Sequence, residues 1–187
     1  TWQRPSVQLP AIYLCEYALA QLWMSWGVKP AALLGHSMGE NTAAALSGVL
    51  SFDDGLSLVT LRGKLFERVP AGGMLSVPLA PDAILPMLGD RLDLATVNGP
   101  EFCTVSGPTD AIDALLAKLT EQGVEAKRIP IAIAAHSRLL DGILPDFEKF
   151  LRTLTFRKPT IPFVSNLTGR WITDVEATDP RYWVEHL

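Results

Sequence analysis

The spacing of apolar residues over the first 70 positions predicts three helices and one short strand. Residues 10–26 form a helical pattern that ends at Gly27 and Pro30. An apolar run at 31–34 predicts a strand, and the small residues at 41–46 predict a helix directly after a glycine-containing turn. Residues 52–69 predict another helix, for which Ser51 and Asp54 provide the start signal. The apolar positions of the first helix are Ile12, Cys15, Leu19, Leu22 and Trp26.

The middle of the chain has a different alternation, which begins after the break at residues 70–73. Strands are predicted at 74–79, 92–97, 101–106 and 124–129, and helices at 81–88 and 109–122. Their order is strand, helix, strand, strand, helix, strand. This order is typical of a ferredoxin-like α+β unit.

The last third predicts a buried strand at 131–135, a helix over 139–151 and a strand at 161–166. The whole pattern favours an α/β fold, in which a hydrolase-like lobe with a parallel sheet receives the ferredoxin-like unit as an insert. The expected boundaries are 1–71 with 132–187 for the core lobe and 72–131 for the small lobe. Because pockets commonly form where lobes meet, the active site is expected in the cleft between them.

Composition fits a globular chain with many buried residues. The chain has 187 residues, of which 48% are hydrophobic and only 19% charged, and its net charge is −4. This charge gives no basic field for nucleic acid, and no apolar run is long enough to cross a membrane. Cys15 and Cys103 are isolated cysteines in apolar elements, which predicts core residues of a reduced, intracellular protein rather than a disulfide or a metal site.

The most informative motif is the segment 35–40, which places Ser37 between a predicted strand and a predicted helix. This is the layout of a nucleophile elbow, in which a sharp turn exposes a serine hydroxyl. Gly35 and Gly39 stand two residues before and after the serine, where a side chain is expected to collide with the neighbouring backbone. The Met38 N–H, at the start of the helix, is a candidate donor to an oxyanion.

Arg62 is the second candidate residue, because it lies on the apolar face of the predicted helix 52–69. Its neighbours three and four positions away are apolar: Leu58, Val59, Leu65 and Phe66. A buried guanidinium is costly unless an anion meets it. Arg62 is therefore either paired with a buried acid, extended to solvent along its stem, or a clamp for a substrate carboxylate.

His136 is the best candidate for a general base among the three histidines. It lies at a predicted strand-to-helix junction, where side chains can line a cleft, and a serine needs a base within reach to become a nucleophile. His36 adjoins the serine and is more simply a packing or orienting residue. His186, near the end of the sequence, is expected at the surface or in an interface.

The spaced motifs together resemble the acyltransferase domain of modular type I polyketide synthases, a family that includes the malonyl-CoA:acyl carrier protein transacylases. The resemblance runs from about Pro5 to Leu187 and rests on these segments: 35–40, 61–63, 72–77, 97–100, 135–137 and 165–169. It implies that Ser37 is acylated, that His136 is the base and that Arg62 holds the carboxylate of a malonyl-type unit. The family domain is longer at both ends, so a truncated piece is expected.

The resemblance also implies the substrates and partners. No permanently bound cofactor is expected; malonyl-CoA or methylmalonyl-CoA would donate the acyl group to the phosphopantetheine arm of an acyl carrier protein. A neighbouring ketosynthase domain of the same cytoplasmic megasynthase is a further expected partner. Ala135, directly before the histidine, and Met38 occupy positions that vary with the extender unit in this family. Ala135 matches neither common pattern and would leave room for an α-methyl group, whereas Met38 in place of the glutamine of many methylmalonyl enzymes favours malonyl.

Two alternatives remain at this stage. An α/β-hydrolase, such as an esterase or thioesterase, would use Ser37, His136 and an acid, for which Asp110 or Asp113 is available. Both acids are more simply explained as first-turn residues of a helix, and a hydrolase gives no reason for a buried Arg62. The third possibility is an inactive scaffold within a megasynthase, against which the presence of all three candidate residues argues.

Overall fold

A computed structural model describes residues 4–187, and the chain divides into two compact units. The first comprises the chain up to Arg68 together with residues 144–187, and the second comprises residues 69–143. The segment 132–143, expected in the core lobe, thus groups with the small unit. It is tied there by hydrogen bonds: the Gly72 N–H donates to Ala132 O at 3.3 Å, and the Arg138 guanidinium pairs with Asp93 at 2.7 Å.

Eight helices and four strands follow one another along the described residues. In chain order they are α1 (Pro5–Ser25), α2 (Gly39–Leu46), α3 (Phe52–Phe66), β1 (Gly72–Val77), α4 (Pro81–Leu88), β2 (Asp93–Gly99), β3 (Phe102–Pro108), α5 (Thr109–Glu121), β4 (Lys127–Ile129), α6 (Leu144–Leu151), α7 (Asp174–Thr178) and α8 (Pro180–Glu185). A 3-10 helix over Arg138–Ile143 precedes α6.

Helix α1 differs from its prediction in both its start and its buried face. It begins at Pro5, which fits the first turn, and continues through Pro10, which removes only one intrahelical donor. The apolar side chains expected in the core are exposed, and so is Cys15, contrary to its prediction. The helix is apolar on all sides, so spacing alone did not identify the inner face. Tyr13 is fully buried instead, and its hydroxyl donates to Phe52 O at 3.1 Å.

The rest of the first unit follows the predicted pattern more closely. Helix α3 is capped by Ser51, whose side chain accepts a hydrogen bond from the Asp54 N–H at 3.0 Å. The strands predicted at 31–34 and 161–166 do not form as strands; between these segments there is one isolated parallel bridge, between Leu33 and Phe163. The bridge brings the end of the second segment next to the turn that carries Ser37.

The second unit has the predicted ferredoxin-like topology. Its antiparallel sheet has the strand order β2-β3-β1-β4, with β1 pairing with both β3 and β4. Alternate strand residues and the inner faces of α4 and α5 form one core, in which Cys103 is fully buried as predicted. Its best-buried members are Leu75, Val77, Ile84, Cys103, Val105, Ile112 and Leu119.

The predicted buried strand at 131–135 is wrong. Pairing of β4 ends at Ile129, because Pro130 lacks an N–H and the Ile131 N–H turns back to Ile129 O at 2.8 Å. Ile131 is consequently exposed, and the segment continues through bends rather than a strand. The single helix predicted over 139–151 is divided into the 3-10 helix and α6.

Candidate functional site

Ser37 stands at the tip of a sharp turn between the Leu33 bridge and α2, with a φ of 50°. This left-handed conformation is costly for a residue with a side chain. A Cβ built on Gly35 would lie 2.1 Å from the Gly39 carbonyl carbon, so that only glycine fits there. The same prediction for Gly39 is wrong, because a Cβ at Gly39 points into open space, with its nearest neighbour 4.0 Å away at Glu16 Oε1.

Asn166 holds this turn by hydrogen bonds to Gly35 and Ser37. Its side-chain amide donates to Gly35 O and accepts from the Ser37 N–H, each at 2.7 Å. Its own backbone N–H donates to Glu40 Oε2 at 2.8 Å. Sequence reasoning quoted the segment 165–169 only as part of the resemblance and gave Asn166 no role. The available signal was a polar residue at the end of the predicted strand 161–166.

Glu40 is the centre of a buried polar network behind the turn. It has no exposed surface, and its Oε1 accepts a hydrogen bond from the Tyr182 hydroxyl, which is also hydrogen-bonded to Ser165 Oγ at 2.7 Å. His186 Nε2 lies 3.3 Å from Glu40 Oε2. His186 is buried by contacts with Tyr182 and Trp183, so its predicted surface position is wrong. Burial and the bond to Glu40 raise the pKa of the Tyr182 phenol.

Arg62 is buried as predicted, with 2% of its surface exposed, and its guanidinium contacts Ser37 and Asn41. Nη1 donates to Asn41 Oδ1 at 3.1 Å, and Nη2 donates to Ser37 Oγ at 3.4 Å. Nε has no hydrogen-bond acceptor within the described part of the chain. Burial lowers the pKa of Arg62 to about 10, and the nearby Glu40 opposes this shift. The group therefore remains a cation at neutral pH.

The other elbow residues surround the serine differently. Among residues 4–187, no acceptor receives the Met38 N–H, whereas the next two N–H groups donate to His36 O at 3.0 Å and Ser37 O at 2.9 Å. His36 is exposed and lines a cavity of about 310 Å³ together with Gly39 and Glu16. The geometry thus leaves one backbone donor directly after the serine for an incoming oxygen.

Ala135 and His136 lie in the second unit, whereas Ser37, Met38 and Arg62 come together in the first. His136 has a φ of 56° and is, with Ser37, one of two described non-glycine residues in the left-handed region. The bend is supported by Ser137, whose hydroxyl donates to Ala134 O at 2.7 Å. The role of His136 as base stays a prediction carried by its motif.

Other chemistries find little support in the described residues. No group of three or more His, Cys, Asp or Glu side chains suited to a metal occurs among residues 4–187. None of the described helices combines the length and the apolar character needed to cross a membrane. Asp110 and Asp113, the acids open to a hydrolase triad, form exposed ion pairs with Arg91 and Arg128.

Comparison with known proteins gives a consistent match over the chain. Residues 2–187 match the acyl transferase domain family. A phenolphthiocerol/phthiocerol polyketide synthase of Mycobacterium tuberculosis is 39% identical over 95% of this chain, which spans 12% of that relative. The PKS-NRPS hybrid synthetase acdB of Aspergillus candidus is also 39% identical, over 97% of this chain and 8% of its own length.

Solved structures agree in fold. The acyl transferase domain of SpnD is 48% identical with a TM-score of 0.93, and the match covers 97% of this chain and 44% of that one. FabD of Acinetobacter baumannii is 28% identical with a TM-score of 0.91, covering 100% of this chain and 63% of that one. The α/β fold class is thereby confirmed, and the chain belongs to the acyl transferase domain family found in polyketide synthases.

Proposed function

We propose that this acyltransferase moves a malonyl-type acyl group from coenzyme A to the phosphopantetheine thiol of an acyl carrier protein. The observation that carries the proposal is the buried Arg62 guanidinium beside Ser37 Oγ, with an Nε that no described residue accepts. A planar cation with a free donor fits a carboxylate through two parallel hydrogen bonds. The related SpnD domain was solved in complex with 2-(pent-4-yn-1-yl)malonyl, a group of this chemical class.

The first half-reaction acylates Ser37. Ser37 Oγ attacks the thioester carbonyl carbon while His136 takes the hydroxyl proton, and the developing oxyanion accepts the Met38 N–H. The carbon–sulfur bond then breaks, and the proton passes from His136 to the departing sulfur, so that free coenzyme A leaves. Arg62 holds the far carboxylate throughout this step.

The second half-reaction reverses the roles. The carrier thiol gives its proton to His136 and attacks the acyl-Ser37 carbonyl, the carbon–oxygen bond to Ser37 breaks, and Ser37 regains the proton. The protein itself needs no bound cofactor for either step. Substrates and carrier of this kind place the proposed activity in the cytoplasm, within a synthase that also carries a ketosynthase domain.

Malonyl is the proposed acyl group. Ala135 leaves room for an α-methyl group beside His136, so methylmalonyl-CoA is the direct competitor in the test. The alternative of a serine hydrolase is weakened because its two candidate acids are engaged in surface ion pairs.

The test is intact-protein mass spectrometry after brief incubation of the intact protein with malonyl-, methylmalonyl- or acetyl-CoA. We expect a malonyl adduct that is absent in Ser37→Ala, and an acetyl adduct that is favoured only in Arg62→Ala. Arg68→Ala is the matched control, because Arg68 pairs with Asp146 at the surface. If the protein hydrolyses the CoA esters and no adduct forms, the proposed transferase activity is wrong and the serine hydrolase is favoured.

A further inference from the structure

The turn around Ser37 is held from two sides, and one of them depends on a single side chain. On the helix side, backbone hydrogen bonds from Gly39 to His36 O and from Glu40 to Ser37 O continue into α2. On the other side, the Asn166 amide donates to Gly35 O and accepts from the Ser37 N–H, each at 2.7 Å. A left-handed serine persists only where its surroundings fix it.

The Asn166 amide donates one hydrogen bond to the turn and accepts another from it. One planar group supplies a donor and an acceptor, whereas an ionised carboxylate supplies acceptors only. Because Asn166 Oδ1 accepts a hydrogen bond from the Ser37 N–H, that N–H is occupied and is not available to an oxyanion. The Met38 N–H, which has no acceptor among the described residues, is then the adjacent backbone donor that remains for an oxyanion.

Asn166 is itself tied to the helix that follows the serine. Its backbone N–H donates to Glu40 Oε2 at 2.8 Å, and Glu40 is fixed in turn by the Tyr182 hydroxyl. The chain therefore links α2, the segment around Asn166 and the strand side of the turn in one closed set of hydrogen bonds. A displacement of Asn166 would be transmitted to the serine rather than absorbed by solvent.

Resting on the proposed acyl transfer, we propose that Asn166 is a positioning residue that sets the Ser37 hydroxyl and reserves the Met38 N–H for the oxyanion. Asn166 is an exposed residue, so we expect the loss of its side-chain hydrogen bonds to leave the protein folded. The effect is expected in the rate of acylation, because a displacement of about 1 Å can slow a reaction about 100-fold.

The experiment measures the rate of acyl-Ser37 formation from malonyl-CoA in the intact protein, alongside labelling by a fluorophosphonate that requires no carboxylate. In Asn166→Ala we expect both rate constants to fall by about 10- to 100-fold, with KM for malonyl-CoA nearly unchanged. Thr168→Ala is the control, because among residues 4–187 the Thr168 hydroxyl accepts a hydrogen bond from the Arg170 N–H in the same loop and has no hydrogen bond to the Ser37 turn. Thermal unfolding checks that both variants remain folded.

Asn166→Asp supplies a readout that a merely structural role would not move. A protonated carboxyl regains the donor to Gly35 O, so the rate of this variant relative to wild type should rise as the pH falls from about 8 to 5. The same ratio for Asn166→Ala should stay flat.

Wild-type rates in Asn166→Ala, or identical pH profiles for the two variants, would overturn the positioning role. A wild-type protein labelled by the fluorophosphonate but not by malonyl-CoA would overturn the proposed substrate alone, and the fluorophosphonate rates would still test Asn166.

Discussion

Arg62 donates a hydrogen bond from Nη2 to Ser37 Oγ at 3.4 Å, which joins the buried cation of α3 to the tip of the turn that carries Ser37. The bond is long and leaves the guanidinium incompletely satisfied, since Nε lacks an acceptor in the described chain. An arriving carboxylate would supply the missing acceptors. The same contact places the positive charge close to the oxygen that we propose as the nucleophile.

Arg62→Met should separate selectivity from stability. Without the cation, kcat/KM for malonyl-CoA should fall by about 100-fold or more, because the substrate carboxylate is left buried and unpaired. The free energy of unfolding should change by about 1 kcal/mol or less, since relief of the buried charge offsets the acceptor left open on Asn41. Steady-state kinetics and thermal unfolding measure the two effects, with Arg68→Met as control. A large loss of stability with unchanged selectivity would contradict the clamp.

The two glycines of the elbow should respond very differently to alanine. Gly35→Ala forces a Cβ to within 2.1 Å of the Gly39 backbone. We therefore expect the free energy of unfolding to fall by more than about 3 kcal/mol, or the folded state to be lost altogether. Gly39→Ala meets nothing closer than 4.0 Å and begins a helix, so its stability should stay within about 1 kcal/mol of wild type. Chemical denaturation compares the pair. Equal destabilisation would show that the turn is built differently.

Tyr182→Phe should weaken the network that supports Asn166. The substitution keeps the ring contacts but removes a buried donor from Glu40 and a partner from Ser165 Oγ. We expect a loss of about 1–3 kcal/mol in unfolding free energy, measured by denaturant titration. Tyr17→Phe is the matched control, because the Tyr17 ring packs on Phe52 while its hydroxyl bonds to no described residue. A similar loss in both variants would assign the effect to ring packing.

Glu67 should make stability depend on pH in the acid range. Hydrogen bonds from Arg4 and Ser6 lower the pKa of Glu67 from 4.5 to about 2 in the folded protein. The contribution of ionised Glu67 to the stability of the folded protein is therefore complete above a pH of about 4.5 and is lost as the pH falls toward 2. The melting temperature of Glu67→Gln should lie below that of wild type at pH 7 and converge with it near pH 2. A difference in melting temperature between the two proteins that stays constant from pH 7 to pH 2 would contradict the lowered pKa of Glu67 in the folded protein.

The sequence alone was sufficient for elements whose apolar period and turn residues agree. The type and order of the capped helix α3 and of the elements from β1 to β4 were predicted correctly, because strands and helices there bury one face each; β4 forms only the second half of its predicted strand, and α3 ends before its predicted end. The burial of Arg62 followed from the same periodicity. The sequence also carried the family resemblance that the comparisons confirmed. The segment 131–135 was misassigned because an apolar run does not distinguish a strand from an extended connection beside a proline.

Contacts between residues that are distant in the sequence, and the inner face of a helix that is apolar on all sides, were decided only by the tertiary structure. Helix α1 is apolar all round, so only packing showed that Tyr13 faces inward and Cys15 outward. The buried contact between His186 Nε2 and Glu40 Oε2 joins residues that are far apart in the sequence. The hold of Asn166 on the Ser37 turn likewise joins residues that are 129 positions apart. Local sequence determines which elements form and where a serine can be exposed. Which polar groups meet behind that serine is fixed only when distant segments pack, because hydrogen bonds need partners within about 3 Å in space.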